Sequence, residues 1–265
     1  MTKPQHLDIA TKIDGDSGSP VVLCHGTPFS SAVWDPVIPQ LSSHHTVYRW
    51  DMPGYGASPL SDVVDLDTQA IRLVELISHW GIDNPSVVAH DIGGAVALRA
   101  HLFHGLELSS LTLIDTVCIP PWGSAFYKLA QDNAEVFTAL PAPFHEALLL
   151  VYLDGVTKRE LTATERNRLA EPWRGTGGQA AFYRQISQVR QTHTDDIVDH
   201  LGEVRCPVSV IWGSDDEWLP ISNGQTLAHK LGVELTEISN AGHLVPYDQP
   251  ELLSSALLTL TLVGH

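Results

Sequence analysis

Short, nearly unbroken apolar runs rich in β-branched residues recur along the chain, at residues 20–25, 46–50, 86–90, 110–115 and 207–212. Val21-Val22-Leu23 and Val87-Val88-Ala89 show the type: no polar position alternates with the apolar ones, as expected of parallel strands covered on both faces. Between the runs, residues 66–80 and 93–104 carry apolar positions at helical spacing. Strand and helix in alternation predict an α/β fold, a doubly wound and mostly parallel sheet. The alternation breaks at residues 119–200, which hold no convincing strand. Helical pieces are predicted there at 143–153, where Pro143 suits a first turn, and at 178–191. The same stretch gathers aromatics, among them Trp122, Tyr127, Tyr152, Trp173, Phe182 and Tyr183. The expected organisation is a core of residues 1–118 and 201–265 with a helical cap, 119–200, over the carboxyl ends of the strands. Most of its aromatics are expected to pack the cap's own interior, and two or three to face a pocket.

A length of 265 residues with 43% apolar content fits one α/β domain carrying a modest insertion. The formal charge of −16 repels nucleic acid and anionic membrane, so neither is an expected partner. Three cysteines, Cys24, Cys118 and Cys206, are odd in number and widely spaced, which indicates neither a disulfide framework nor a zinc site. Met1-Thr2-Lys3-Pro4-Gln5 has no apolar segment of the signal-peptide kind, and no apolar run reaches the length of a membrane span. The expectation is a soluble, cytoplasmic protein acting on a small molecule without a cofactor, and a homodimer is allowed. The glycines around residue 93 do not form a GxGxxG dinucleotide site.

The strongest local signal is Ala89-His90-Asp91-Ile92-Gly93-Gly94, where a strand runs into a helix. Small residues at 89, 93 and 94 surround Asp91 as they surround the nucleophile of a strand–turn–helix elbow, where larger side chains would collide. An ordinary helix N-cap is the competing account of this aspartate. His25-Gly26-Thr27-Pro28 follows the first core strand, and the Thr27 N–H could complete an oxyanion hole with the Ile92 N–H. Trp212-Gly213-Ser214-Asp215-Asp216 and Asn240-Ala241-Gly242-His243 lie near the carboxyl end. Their order supplies nucleophile, acid and base as Asp91, Asp216 and His243. His25 and His90 flank these motifs and are expected to be structural.

Together the motifs resemble the α/β-hydrolase superfamily along nearly the whole chain. Within it they are similar to the epoxide hydrolase and haloalkane or haloacid dehalogenase branch, whose elbow reads H-D-x-G. The resemblance implies an α/β-hydrolase fold with its helical cap inserted after the sixth strand. The family's G-x-x-D-x-x-x-P spacing selects Asp216 as the acid, and Asp115 is the alternative position that some dehalogenases use. An aspartate is already ionised at neutral pH and can attack saturated carbon, forming an alkyl ester that a His243-activated water hydrolyses.

Epoxides and carbon–halogen compounds are the implied substrates. Tyr183 matches a cap tyrosine that assists epoxide opening, with Tyr152 or Tyr127 as its partner, and Trp122 is a further candidate pocket residue. The halide-binding positions of haloalkane dehalogenases are Ile92 and Thr27 here, and Ile92 also replaces the arginine of the fluoroacetate type. These departures favour an epoxide hydrolase-like enzyme on a small apolar substrate, with a dehalogenase second. A non-hydrolytic lyase or a binding protein on the same fold is the third possibility.

Overall fold

The computed structural model describes residues 8–262, so the Met1–Gln5 segment lies outside the described residues. Seven strands form one sheet: β1 (Thr11–Asp14), β2 (Pro20–Cys24), β3 (Thr46–Trp50), β4 (Ser86–His90), β5 (Ser110–Ile114), β6 (Val208–Gly213) and β7 (Leu235–Ile238). Their spatial order is β1-β3-β2-β4-β5-β6-β7, and every pairing is parallel except that of β1 with β3. All five apolar runs fall on strands. All of β4 is buried, which accounts for a sequence without alternation. At the edge, β1 exposes Ile13, its one apolar residue, and gives no such signal.

Helix α1 (Leu66–Trp80) buries Leu66, Gln69, Ala70, Leu73, Leu76 and Ile77 at helical spacing. Asp65 caps its start by accepting from the N–H groups of Asp67 and Thr68, and Gly81, at φ 67°, ends it in the left-handed region. Helix α2 (Ile92–Phe103) is buried over its first ten residues. Between β5 and β6 run α3 (Ala125–Asp132), α4 (Ala142–Asp154), α5 (Ala163–Ala170), α6 (Gly175–Gln188) and α7 (Thr192–His200), with no strand among them in the described residues. These helices follow the fifth described strand rather than the sixth, because among the described residues only β1 precedes the parallel strands. Helix α8 (Ile221–Leu231) joins β6 to β7, and α9 (Pro250–Leu262) follows. No helix of the described residues is long and apolar enough to cross a membrane.

The register brings the carboxyl ends of the central strands level with one another. Cys24 pairs with Ala89, His90 with Ile114, and Ile114 with Ile211. The loops after β2, β4, β5 and β6 therefore leave the sheet at one edge, carrying Thr27, Asp91, Asp115 and Asp216 with them. One continuous apolar cluster extends from the sheet into the helices after β5, including Trp173, Phe182 and Ile186.

Candidate active site

The turn between β4 and α2 holds Asp91 at φ 54° and ψ −125°, a backbone conformation that costs a non-glycine residue about 1–3 kcal/mol. It persists because neighbours fix it: the Asp91 N–H donates to Ile114 O (3.0 Å), and Asp91 O accepts from Gly94 N (3.0 Å) and Val117 N (3.2 Å). The approach of the β2 loop also demands glycine. A Cβ on Gly93 would lie 2.5 Å from His25 O, and one on Gly26 would lie 2.5 Å from the Asp91 Cβ. An ordinary N-cap residue has extended backbone and accepts from the N2 or N3 amide, as Asp65 does. Asp91 does neither, so the N-cap account fails.

The Asp91 carboxylate is buried and its two oxygens face different groups. Oδ2 accepts from the Thr27 N–H at 2.6 Å, and Oδ1 lies 3.7 Å from Nε2 of His243. Burial pushes the carboxyl up to about 6, against the pull of the His243 charge and the Thr27 and Ile92 N–H groups. At neutral pH it stays mostly ionised. His243 Nδ1 donates to Asp216 Oδ2 at 2.8 Å, and Asp216 Oδ1 accepts from the N–H groups of Trp218 (2.8 Å) and Leu219 (2.9 Å). Burial alone would lower the His243 pKa; the adjoining Asp216 carboxylate, then Asp91 and Asp115, raise it to about 9. Its buried Nε2 has no hydrogen-bond partner among the described residues.

Asp115 does not reach His243 with a hydrogen bond. Its Oδ1 accepts from Gly213 N at 2.9 Å, while its Oδ2 is buried without a partner among the described residues. Burial and then the Asp216 charge push this carboxyl well up, toward its protonated form. Of the two candidate acids, the one bonded to the histidine is Asp216. The flanking histidines hold backbone. His25 Nε2 accepts from Met52 N (2.9 Å) with Nδ1 against Gly26 O (2.9 Å), and His90 Nε2 donates to the His243 carbonyl (2.8 Å).

A cavity of about 30 Å³ opens onto Asp91 and His243. Its walls include Trp122, Tyr127, Tyr152 and Trp218, and no lysine or arginine among the described residues. The Trp122 indole N–H donates to Thr194 Oγ1 (2.8 Å) and the Tyr127 hydroxyl to Val189 O (3.3 Å). Tyr152 stacks on Trp218 with ring centroids 4.4 Å apart, and Trp218 in turn stacks on His243 at 5.1 Å. The Tyr152 hydroxyl makes no hydrogen bond to the described residues.

Tyr183 is a correction to the sequence expectation. It is not part of the cavity wall: its ring packs among Phe137, Phe182 and His145, and its hydroxyl lies 3.1 Å from His145 Nδ1. His145 Nε2 is 2.8 Å from the Trp173 carbonyl, so Nε2 carries the proton and Nδ1 accepts from the tyrosine. Two residues further along α6, Gln185 reaches the β2 loop instead, where its Oε1 accepts from the Thr27 hydroxyl. Trp218 was not among the expected wall residues, although it sits two positions after Asp216. No motif marked Gln185.

A model of the alpha/beta hydrolase family matches residues 21–256. The structure of an alpha/beta hydrolase fold protein from Burkholderia ambifaria is similar over 95% of this chain and 93% of its own, with 40% identity and a TM-score of 0.90. The soluble epoxide hydrolase of Corynebacterium sp. (strain C12) is 42% identical over 87 residues, which are 32% of this chain and 30% of that enzyme. The pimeloyl-acyl-carrier-protein methyl ester esterase of Methylococcus capsulatus is 28% identical over 239 residues, 87% of this chain and 89% of its own length.

Proposed function

We propose, from the premise that this chain belongs to the alpha/beta hydrolase family, that it hydrolyses small uncharged epoxides through an ester formed on Asp91. The observation that carries the proposal is the division of labour between the two Asp91 oxygens. Oδ2 is held by the Thr27 N–H at 2.6 Å, whereas Oδ1 lies 3.7 Å from His243 Nε2. A carboxylate held in this way presents one oxygen for attack while the other already occupies an oxyanion hole.

In the first step Asp91 Oδ1 attacks an epoxide carbon, the ring C–O bond breaks, and the leaving oxygen takes a proton from the Tyr152 hydroxyl. Esterification removes the Asp91 charge, and with it one of the influences that raise the His243 pKa. His243, oriented by Asp216, can then accept a proton from water as that water attacks the Asp91 carbonyl carbon. Charge builds on Oδ2, where the Thr27 and Ile92 N–H groups stabilise it. Collapse expels the diol as an alkoxide, which takes up the remaining proton of the attacking water. The proton on His243 returns to Tyr152 through solvent. Residues 119–200 act as a cap, contributing Trp122, Tyr127 and Tyr152 to the wall.

Three features favour epoxides over the neighbouring chemistries. The indole N–H groups of Trp122 and Trp173, which could have served a halide, are bonded to Thr194 and to the Pro28 carbonyl. The wall carries no lysine or arginine among the described residues to hold the carboxylate of a haloacid. An ordinary ester would turn Asp91 into an anhydride, a detour with no gain. The second reading, halide displacement from a haloalkane, rests on Trp218, which lines the cavity and whose ring stacks on His243.

The test is His243→Gln with a panel of epoxides, haloalkanes, haloacids and esters, read by intact-protein mass. A gain equal to a whole epoxide is the expected result. A gain of haloalkane minus hydrogen halide would move the assignment to a dehalogenase. No adduct with any member would remove Asp91 as nucleophile for these classes.

A further inference from the structure

Gln185 lies on α6 in the helical segment after β5, is 1% exposed, and takes no part in the cavity wall. Its Oε1 accepts from two hydroxyls of the sheet side, Thr27 in close contact and Tyr55 at 3.3 Å. Thr27 is the residue whose backbone N–H reaches Asp91 Oδ2. One amide oxygen from the cap segment therefore fixes the side chain of the residue that supplies the oxyanion-hole donor.

The helix has other attachments. Gln188 accepts from Val64 N (2.7 Å) and donates to Asp62 O (2.8 Å), Arg184 donates to Ser61 O (3.2 Å), and Trp173, just before α6, donates to Pro28 O (2.6 Å). The segment can stay seated without Gln185. A buried amide in a place that an apolar side chain of the same length could fill costs desolvation, which its two hydroxyl donors offset.

We propose that Gln185 is a positioning residue for the hydrolytic half of the reaction: through the Thr27 hydroxyl it aims the Thr27 N–H at the Asp91 oxygen on which charge develops. The proposal rests on the reading of Asp91 as nucleophile. Because the oxyanion forms only when the ester is hydrolysed, loosening Thr27 slows that half more than ester formation.

The test compares Gln185→Met, Thr27→Val and the double variant by rapid quench and intact mass, with propylene oxide and styrene oxide as probes. Gln185→Met should slow hydrolysis of the alkyl-enzyme roughly tenfold, a part of the roughly hundredfold or more that loss of a whole oxyanion donor costs. Ester formation should change less than about twofold, so the alkyl-enzyme becomes the main species at steady state. Thr27→Val, which keeps its N–H, should reproduce this, and the double variant should be no slower than either single one. Thr27→Val cuts the same bond from the sheet side, so the test survives a misfolded Gln185 variant. Unchanged hydrolysis, equal slowing of both halves, or multiplying effects in the double variant would each overturn the proposal. Failure of the Asp91 reading itself shows separately, as His243→Gln forming no adduct with either probe, and takes this proposal with it.

Discussion

Acidification should switch off ester formation well above the pH at which an ordinary aspartate titrates. Asp91 is buried, and burial moves its carboxyl from 3.8 to about 6, which corresponds to about 3 kcal/mol against the charged form. Attack requires that charged form. The ionised fraction is about one tenth at pH 5 and about one hundredth at pH 4, so the rate of ester formation should fall about tenfold per pH unit below 6. An aspartate near 3.8 would lose only about one twentieth of its rate at pH 5. The second half titrates on another group. His243 must be neutral to act as base, so alkyl-enzyme hydrolysis should rise with pH. Its midpoint should lie below the value of about 9 of the free enzyme, because the esterified Asp91 no longer contributes its charge. The assay is rapid quench of wild-type enzyme in excess over styrene oxide from pH 4.5 to 9, with the adduct read by intact mass and folding checked by circular dichroism at each pH. Ester formation that stays level down to pH 4.5 in folded protein would refute the reasoning, since a desolvated carboxylate cannot remain ionised there.

Other substitutions separate the parts of the site. Tyr152→Phe should lower ester formation with epoxides by about 10²-fold or more, as loss of a general acid does, and leave hydrolysis of a preformed alkyl-enzyme within about twofold. An equal loss in both halves would point to altered packing against Trp218. Asp216→Asn should slow hydrolysis by about 10³–10⁴-fold through the wrong His243 tautomer, whereas Asp115→Asn, already near the protonated form, should cost less than about tenfold. The reverse ranking would make Asp115 the acid. Gly93→Ala should lower stability by about 1–3 kcal/mol, because its Cβ would meet two backbone carbonyls of the β2 loop at 2.5 and 2.7 Å. A thermal melt at or above that of wild type would show that the loop can yield.

How far the chain could be read without coordinates depended on how each feature is encoded. Strands β2 to β6 and α1 announce themselves because burial, complete in β4 and predominant in the others, or on one stripe of the helix, dictates the residue type at most positions. The placement of Asp91, Asp216 and His243 after strand ends was legible because backbone geometry there constrains their neighbours as well. Thus Gly93 is required by a carbonyl 2.5 Å from where its Cβ would be, not by chemistry. Edge strand β1 was invisible, since its exposed Ile13 carries no burial pattern. Within 119–200, helical periodicity could locate α4 and α6 but could not say which partners the faces of α6 meet. Tyr183 and Gln185 are two positions apart and point to different partners, His145 and Thr27. A rotation of that size depends on packing against Phe137 and Phe182, which local sequence does not encode.

The most direct measurement of the Asp91 ester is a single turnover in water enriched in ¹⁸O, with enzyme in excess over styrene oxide and the peptide containing Asp91 isolated afterwards. The mechanism predicts that the label enters the Asp91 carboxylate and that the first diol released carries unlabelled oxygen. Label in the diol with none in Asp91 would mean that water attacks the substrate itself, and would contradict nucleophilic catalysis by this residue.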